Sequence, residues 1–463
     1  MDTSEVIESR IGDRNRVLVA IAAAAGVVVP ILYFYWVLVR EAINAPFLDD
    51  YDTPLGYLIT LTHLKTFHEK VVYALTMQHN EYKLIFENVI FAVQYYMFGH
   101  HVNIPMLLFL GNLFVLGVFA VIVWDCYRPS EASSEQLLLL LPVAWLVFQL
   151  QYASMLDFTM SGLQNVAIVP FCLLTIKLLA EEKPAAFWLG LLSLCLAVFT
   201  SGNGIFLVPV GIAMLLQQKR YRYILPWAIV TCALCAVYLW GYHFGVSPKP
   251  QNSAIGARAA AYWLFFLSFL GSSAARMVSY TPSVLLGIVF CGLLAWSVRA
   301  RAHRNHQAIF YSIVFIFVTA LGVAFTRSGL GVAESLASRY RIYSNLLIVF
   351  FYILGYRSLN RSTNRIPVRL YLTAVILFSV CFNVVSNHAG QRFLHERKTA
   401  IMCGMAEWEG RSAGLSLAGS EGMSEVTRRH MEHHLFDPDG EVLKSAMESG
   451  IYTPPPFNCR VSP

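Results

Sequence analysis

Charge is scarce in this chain. Asp, Glu, Lys and Arg together make up 13% of its 463 residues, against 57% from the hydrophobic set, and that balance excludes an ordinary soluble globular protein. Short alternating segments of the kind that build membrane β-barrels are also missing. The apolar windows are of helical length, long enough to cross a hydrocarbon layer of roughly 30 Å. The first of them, 17–39, lacks a small-residue cleavage site and is longer than a signal-peptide core, so it reads as an uncleaved signal-anchor. No internal repeat is visible and the spans carry almost no charge, which argues against the repeated halves and midplane ionisable groups of secondary transporters. Most of the nine cysteines sit inside apolar runs, so the CxxC spacing of Cys232 and Cys235 reads as packing.

What is there is a bundle of membrane helices. The net charge of +6 comes from basic clusters in short loops, among them Arg14 and Arg16, Lys219 to Arg222, Arg299 to Arg304 and Arg357 to Arg369. Such clusters set orientation and imply no nucleic-acid partner. They share one side only if two apolar runs do not cross. Leu84 to Phe98 carries Glu87, Asn88 and Gln94 and reads as an interfacial helix; Tyr262 to Leu270 is the second. Spans then fall near 17–39, 103–126, 135–151, 163–180, 185–200, 204–218, 223–244, 281–298, 307–326, 341–357 and 367–386. The expectation is an all-α polytopic membrane protein of about eleven transmembrane helices, with its amino terminus inside and its carboxyl terminus outside. Residues 1–387 form the membrane domain, with a long first outer loop at 40–102, and 388–463 form a small extracytoplasmic segment.

The charges that remain gather on the outer side. Asp49, Asp50 and Asp52 follow the first span directly, where crowded carboxylates raise each other's pKa and bind cations or hydroxyl protons. Thr53 before Pro54 has the look of a helix N-cap with proline at the first helical position, and Asp52 suits the positive helix end, so capping competes with function there. The first loop is expected to continue as an amphipathic helix from Pro54 to Met77. Next, His79, Glu81 and Lys83 offer imidazole, carboxylate and amine to a hydroxyl substrate or a phosphate; the competing reading is a helix cap at Asn80. Arg327 and Arg339 run against the cytoplasmic bias of basic residues, and their guanidinium forks suit phosphate oxygens, with snorkelling as the alternative. Asp157 and Gln164 lie at the outer end of a span. In the tail, Cys403 and Cys459 are free to form a disulfide if that segment is extracytoplasmic, while His430, His433 and His434 lack the partner ligands of a dependable zinc site.

The strings Asp49-Asp50, His79-Asn80-Glu81-Tyr82-Lys83, Gln164-Asn165, Ser201-Gly202-Asn203-Gly204 and Ser338-Arg339-Tyr340 together resemble the GT-C superfamily of integral-membrane glycosyltransferases. The resemblance is to a bacterial branch that modifies O-antigen and other cell-envelope glycans. Where relatives often show an Asn-Glu-His-Arg string, this chain has Asn80-Glu81-Tyr82-Lys83, which keeps the cation and loses the imidazole and the fork. The resemblance implies an enzyme of the bacterial inner membrane. It would take a sugar from a polyprenyl-phosphate donor to a hydroxyl on a glycan, lipid or protein, with membrane lipid around it.

Sugar transfer needs a base for the acceptor hydroxyl, for which Asp49 is the first candidate and Asp50 the second. It also needs cations for the departing phosphate, for which Arg327, Arg339 and Lys83 are candidates. Substrate contacts fall to His79, Glu81, Tyr340, Asp157 and Gln164. Hard carboxylates bind magnesium or manganese, so a divalent metal at Asp49 and Asp50 is an open question. The competing functions are a lipid-linked-glycan or polar-solute transporter or flippase, and an envelope-glycan polymerase or ligase.

Overall fold

The computed structural model describes residues 3–127, 134–243, 255–275, 279–361, 364–412 and 438–456. Among them, eight helices are long and apolar enough to cross a membrane: Val17–Glu41, Ile104–Cys126, Thr159–Ala180, Tyr221–Leu239, Thr281–Arg299, Gln307–Leu330, Ser338–Leu359 and Ile366–Ala406. Three of the eleven expected spans, 135–151, 185–200 and 204–218, fall on shorter apolar helices, as does the stretch Arg258–Leu270. The chain is therefore an all-helical, multi-pass membrane protein whose only described sheet is one two-stranded hairpin.

The chain forms two compact units that interleave along the sequence. Unit A comprises Leu38–Phe114, Ala153–Ser247 and Gly390–Pro463, and unit B comprises Met1–Val37, Val115–Tyr152 and Pro248–Ala389. Helices α1 (Thr3–Glu41), α5 (Ile104–Cys126) and α17 (Ile366–Ser412) each run through a unit boundary. Because α17 continues unbroken to Ser412, the expected division at Asn387 falls inside one helix.

Polar residues in unit B's apolar helices do local repair. Pro30 in α1 has no N–H for the carbonyl of Gly26, and Trp145 Nε1 of α6 (Ser134–Val147) donates to that carbonyl at 2.8 Å. The last carbonyls around the end of α6 are satisfied from α17. Asn383 Nδ2 donates to Trp145 at 2.7 Å and Phe148 at 2.8 Å, and Asn387 Oδ1 accepts from Leu150 N at 2.9 Å. Asn387, which reads in the sequence as the end of a span, is a capping residue.

Unit A builds its core from the first loop and the C-terminal segment. Phe47, Tyr51, Leu55, Tyr57 and Leu58 pack in one cluster with Met405, Leu443, Ile451 and Tyr452. Val102 N donates to Ile451 O at 2.8 Å, and Tyr452 Oη to Asn44 O at 2.6 Å. The first loop is a series of short pieces instead of the single amphipathic helix expected over 54–77. A 3₁₀ turn at Leu48–Asp50 leads into a π-turn at Tyr51–Gly56, then α2 (Tyr57–His63) and α3 (Phe67–Thr76). Extended backbone at Leu64 breaks the run. Thr66 and Glu69 restart it with a reciprocal capping box, Glu69 N donating to Thr66 Oγ1 at 3.2 Å and Thr66 N to Glu69 Oε2 at 3.0 Å. Strands β1 (Gln78–His79) and β2 (Tyr82–Lys83) pair antiparallel, and α4 (Ile85–Met97) follows, within a residue of each end expected for the interfacial helix.

Candidate functional site

The three acids of the first loop separate by helical phase. Asp49 lies in the 3₁₀ turn and Asp52 in the π-turn that follows it, and both carboxylates meet His79 while Asp50 is buried. Leu48 opens the turn with a left-handed φ of 52°, a conformation that costs a non-glycine residue roughly 1 kcal/mol. The turn begins there and not at Thr53, whose hydroxyl bonds back to Asp49 O at 2.7 Å. Thr53 and Pro54 are interior to the helical run, not its start.

Asp50 is fully buried and its carboxylate is consumed by backbone. It accepts from Phe47 N at 3.3 Å, Thr159 N at 3.3 Å, Met160 N at 3.2 Å and the Thr159 hydroxyl, thereby capping the start of the Thr159–Ala180 segment. Burial raises its pKa to about 7 against the lowering pull of these hydrogen bonds. Asp50 is thus a structural clamp and not an available second base.

Asp49 and Asp52 instead flank an imidazole. His79 Nε2 lies 3.2 Å from Asp49 Oδ1, and its Nδ1 3.8 Å from Asp52 Oδ2; the acids are 38% and 56% exposed, the imidazole 10%. Burial opposes the charged ring, but the hydrogen bond and charge of Asp49, with Asp52 behind them, leave the His79 pKa raised. The hairpin fixes His79 in place. Asn80 takes the left-handed turn conformation, φ 50°, and its amide contacts His79 Nε2 at 2.9 Å. Gln78 Nε2 donates to Asn80 O at 2.7 Å and to His243 O at 2.8 Å. Glu81 sits at the turn, its carbonyl accepting from Tyr242 Oη at 2.9 Å. The result is a carboxylate at a solvent-facing position, oriented by a clamped histidine.

Lys83 lies beneath the hairpin rather than on it. Its ammonium is buried and donates to Leu75 O at 3.3 Å and to Trp240 O, and burial lowers its pKa. One turn on, the buried Glu87 carboxyl has no hydrogen-bond partner and its pKa is raised well above 4.5 by burial. Asp157 meets Arg397 at 3.4 Å, and that guanidinium lies over Phe47 and Phe393 at 4.6 and 4.5 Å. Burial raises the Asp157 pKa to about 6 while Arg397 pulls it down. Gln164 is buried, with an unpartnered Nε2.

Those residues all belong to unit A; Arg327, Arg339 and Tyr340 belong to unit B. There the two arginines share one carboxylate, Glu334, which Arg339 contacts closely and Arg327 Nη1 reaches at 4.0 Å. Arg339 also lies 5.1 Å from the Tyr340 ring centroid, and Tyr340 is buried against Phe269 at 4.8 Å. Gly331 adopts φ 102° and ψ 154°, a conformation reserved for glycine, so backbone geometry accounts for it.

The metal reading for Asp49 with Asp50 does not fit this donor set, since Asp50 faces amides inside the core. Among the described residues no group of three or more His, Cys, Asp or Glu is placed to hold a metal ion. Cys403 is disulfide-bonded and seven other cysteines form no disulfide; Cys459, like His430, His433 and His434, lies outside the described residues. Reading the sequence missed Asp52 as a partner of His79, Arg397 as the counter-ion of Asp157, and Glu334 as the shared partner of two arginines. The i, i+3 spacing of Asp49 and Asp52 was the available signal for the first. No family model, curated protein or solved structure matches the chain.

Proposed function

We propose that the chain is an inverting GT-C-type membrane glycosyltransferase that moves a sugar from a polyprenyl-phosphate donor to a hydroxyl acceptor at the outer face of a bacterial cytoplasmic membrane. The carrying observation is the Asp49–His79 contact at 3.2 Å, with Asp52 on the other ring nitrogen. Asp49 is half-exposed, so an acceptor can reach it, and it is held in a fixed orientation. Asp49 takes the acceptor's hydroxyl proton while the oxygen attacks the anomeric carbon; the bond from that carbon to the phosphate oxygen breaks and the lipid phosphate leaves with the electron pair. A phosphate leaves without protonation, so the demand is for cations. The cations that the resemblance implies for the donor phosphate are Arg327 and Arg339, whose combined charge Glu334 offsets by one. Lys83 is withdrawn from that role by its burial. The basic-loop pattern supports an inside amino terminus and about eleven spans.

The test is transfer from defined polyprenyl-phosphate sugars by the full-length protein in lipid nanodiscs. Asp49→Asn should lower transfer by about 10²-fold or more without loss of folded protein. Unchanged transfer by that variant would remove the base, and vesicle transport that survives it, with no transfer at all, would favour a flippase.

A further inference from the structure

In unit B the short helix α14 (Ala302–Asn305) leads into α15 (Gln307–Arg327) beside the end of α16 (Ser338–Leu359). Arg301 enters that turn in the left-handed region, φ 57°, and His306 leaves it facing α16. The half-buried His306 ring lies between two guanidiniums. Arg357 Nη1 is 3.5 Å from its Nδ1, and Arg361 Nη2 is 3.4 Å from its Nε2. Arg357 is already paired, its Nη2 donating to Asp125 O and to Asp125 Oδ2, each at 3.0 Å, at the end of α5. Arg361 is exposed, and among the described residues no carboxylate pairs with it.

These side chains cannot satisfy one another. A guanidinium only donates, and a neutral imidazole has one N–H and one lone pair. The ring is neutral, because burial and then the two guanidiniums push its pKa down to about 4, with the Asp125 carboxylate offsetting them only in part. One ring nitrogen accepts from one arginine; at the other, donor faces donor. Asp125 holds Arg357 in place against Nδ1, so the opposed donors are Nε2–H and Arg361 Nη2. Such a pair calls for an acceptor, and an oxyanion with several oxygens takes both donors and the charge of Arg361 together. Orientation in the membrane asks for basic residues near one surface; it does not ask for one set against a neutral imidazole.

We propose that His306 Nε2–H and the Arg361 guanidinium bind the phosphate of an anionic phospholipid. Depth selects the source. Asp125 and Arg357 lie at the ends of the spans Ile104–Cys126 and Ser338–Leu359, and His306 directly precedes the span Gln307–Leu330, so the donors sit at headgroup level. Trp124, 48% exposed on α5, stands at the same level, where interfacial aromatics gather. From His306 to Arg327 α15 rises about 30 Å, a full hydrocarbon thickness. The site is therefore at the opposite surface from Arg327, Glu334 and Arg339, and it stands whether or not the chain transfers sugar. A phosphate held there joins the start of α15 to the end of α16, with α5 attached through Asp125.

The experiment uses the full-length protein in nanodiscs of phosphatidylcholine, with and without phosphatidylglycerol. Its histidines are isotope-labelled, and the His306 signal is identified by its loss in His306→Gln. In phosphatidylcholine alone the ring should titrate at about pH 4. A phosphate on Nε2–H favours the charged ring, so phosphatidylglycerol should lower the proton concentration at half-protonation by about tenfold or more. On exchange into detergent, native mass spectrometry should find phosphatidylglycerol retained over phosphatidylcholine. Arg361→Gln should cut that retention about tenfold, the loss of one charge-assisted contact. Arg299→Gln removes an exposed charge from the end of the Thr281–Arg299 helix and should leave retention within about twofold. Equal retention of the two lipids by the wild type overturns the assignment, and that comparison needs no variant to fold. So does a His306 titration that phosphatidylglycerol leaves unmoved, or an equal loss from Arg361→Gln and Arg299→Gln, the mark of diffuse attraction. Inorganic phosphate that moves the titration in phosphatidylcholine as far as the lipid does overturns the lipid as the source.

Discussion

Asp50→Asn separates a structural carboxylate from a catalytic one. Asp50 is buried, and its pKa is raised from 3.8 to about 7. A raised pKa means that the folded state holds a proton which the unfolded chain has released. Its contribution to stability is therefore full below pH 3.8 and is lost as pH rises toward 7. At about 1.4 kcal/mol per pH unit, the loss across that window is about 4 kcal/mol. Asparagine does not titrate, so the wild type's stability advantage over Asp50→Asn should shrink by about that much from pH 4 to pH 7. Equilibrium unfolding of both proteins in one detergent reads the difference. Asp157 and His79 also titrate, but in both proteins, and cancel. A difference that stays flat, or grows with pH, would refute the reasoning, because it would mean that the four donors outweigh burial and Asp50 is ionised throughout. Folded Asp50→Asn should still transfer sugar.

Asp49→Asn should lower kcat by about 10²- to 10⁴-fold, the usual worth of a positioned base, with unfolding transitions close to wild type because Asp49 is half-exposed. His79→Asn should remove a stabilisation that is full below pH 6.5 and is lost as pH rises through the raised folded pKa of the imidazole; comparing unfolding of the two proteins between pH 6 and 9 checks it, and identical slopes would count against the Asp49–His79–Asp52 arrangement. Glu334→Gln removes the carboxylate that Arg327 and Arg339 share, so in transfer assays it should lower the KM for a polyprenyl-phosphate sugar several-fold at low salt and make that KM more sensitive to ionic strength.

The helices were largely legible because hydrophobic length is a strong signal: 84–98 was expected as an interfacial helix and Ile85–Met97 is one helix. What misled was polarity inside apolar runs. Asn387 resembled an exit to water, yet with Asn383 it serves the open end of a neighbouring helix, a need that only tertiary packing creates. Arg341 was counted as the first residue of a span, yet its guanidinium donates to the carbonyls of Leu336 and Gln151. Lys83 looked like a surface cation because the residues around it are polar. The hairpin turns it inward, to carbonyls that the sequence cannot place.

The acid cluster makes the same point in the smallest space. Asp49, Asp50 and Asp52 share composition, neighbourhood and depth, so propensity and pattern treat them alike. The backbone separates them by phase. The 3₁₀ turn and the π-turn that follows it put positions 49 and 52 on His79 and send position 50 into the core, where it binds the start of another segment. The 3₁₀ turn at Leu48–Asp50, opened by a left-handed Leu48 and continued by the π-turn at Tyr51–Gly56, makes a paired carboxylate site out of three neighbouring acids. Its strain at Leu48 is offset by the four hydrogen bonds that Asp50 collects on the inner side.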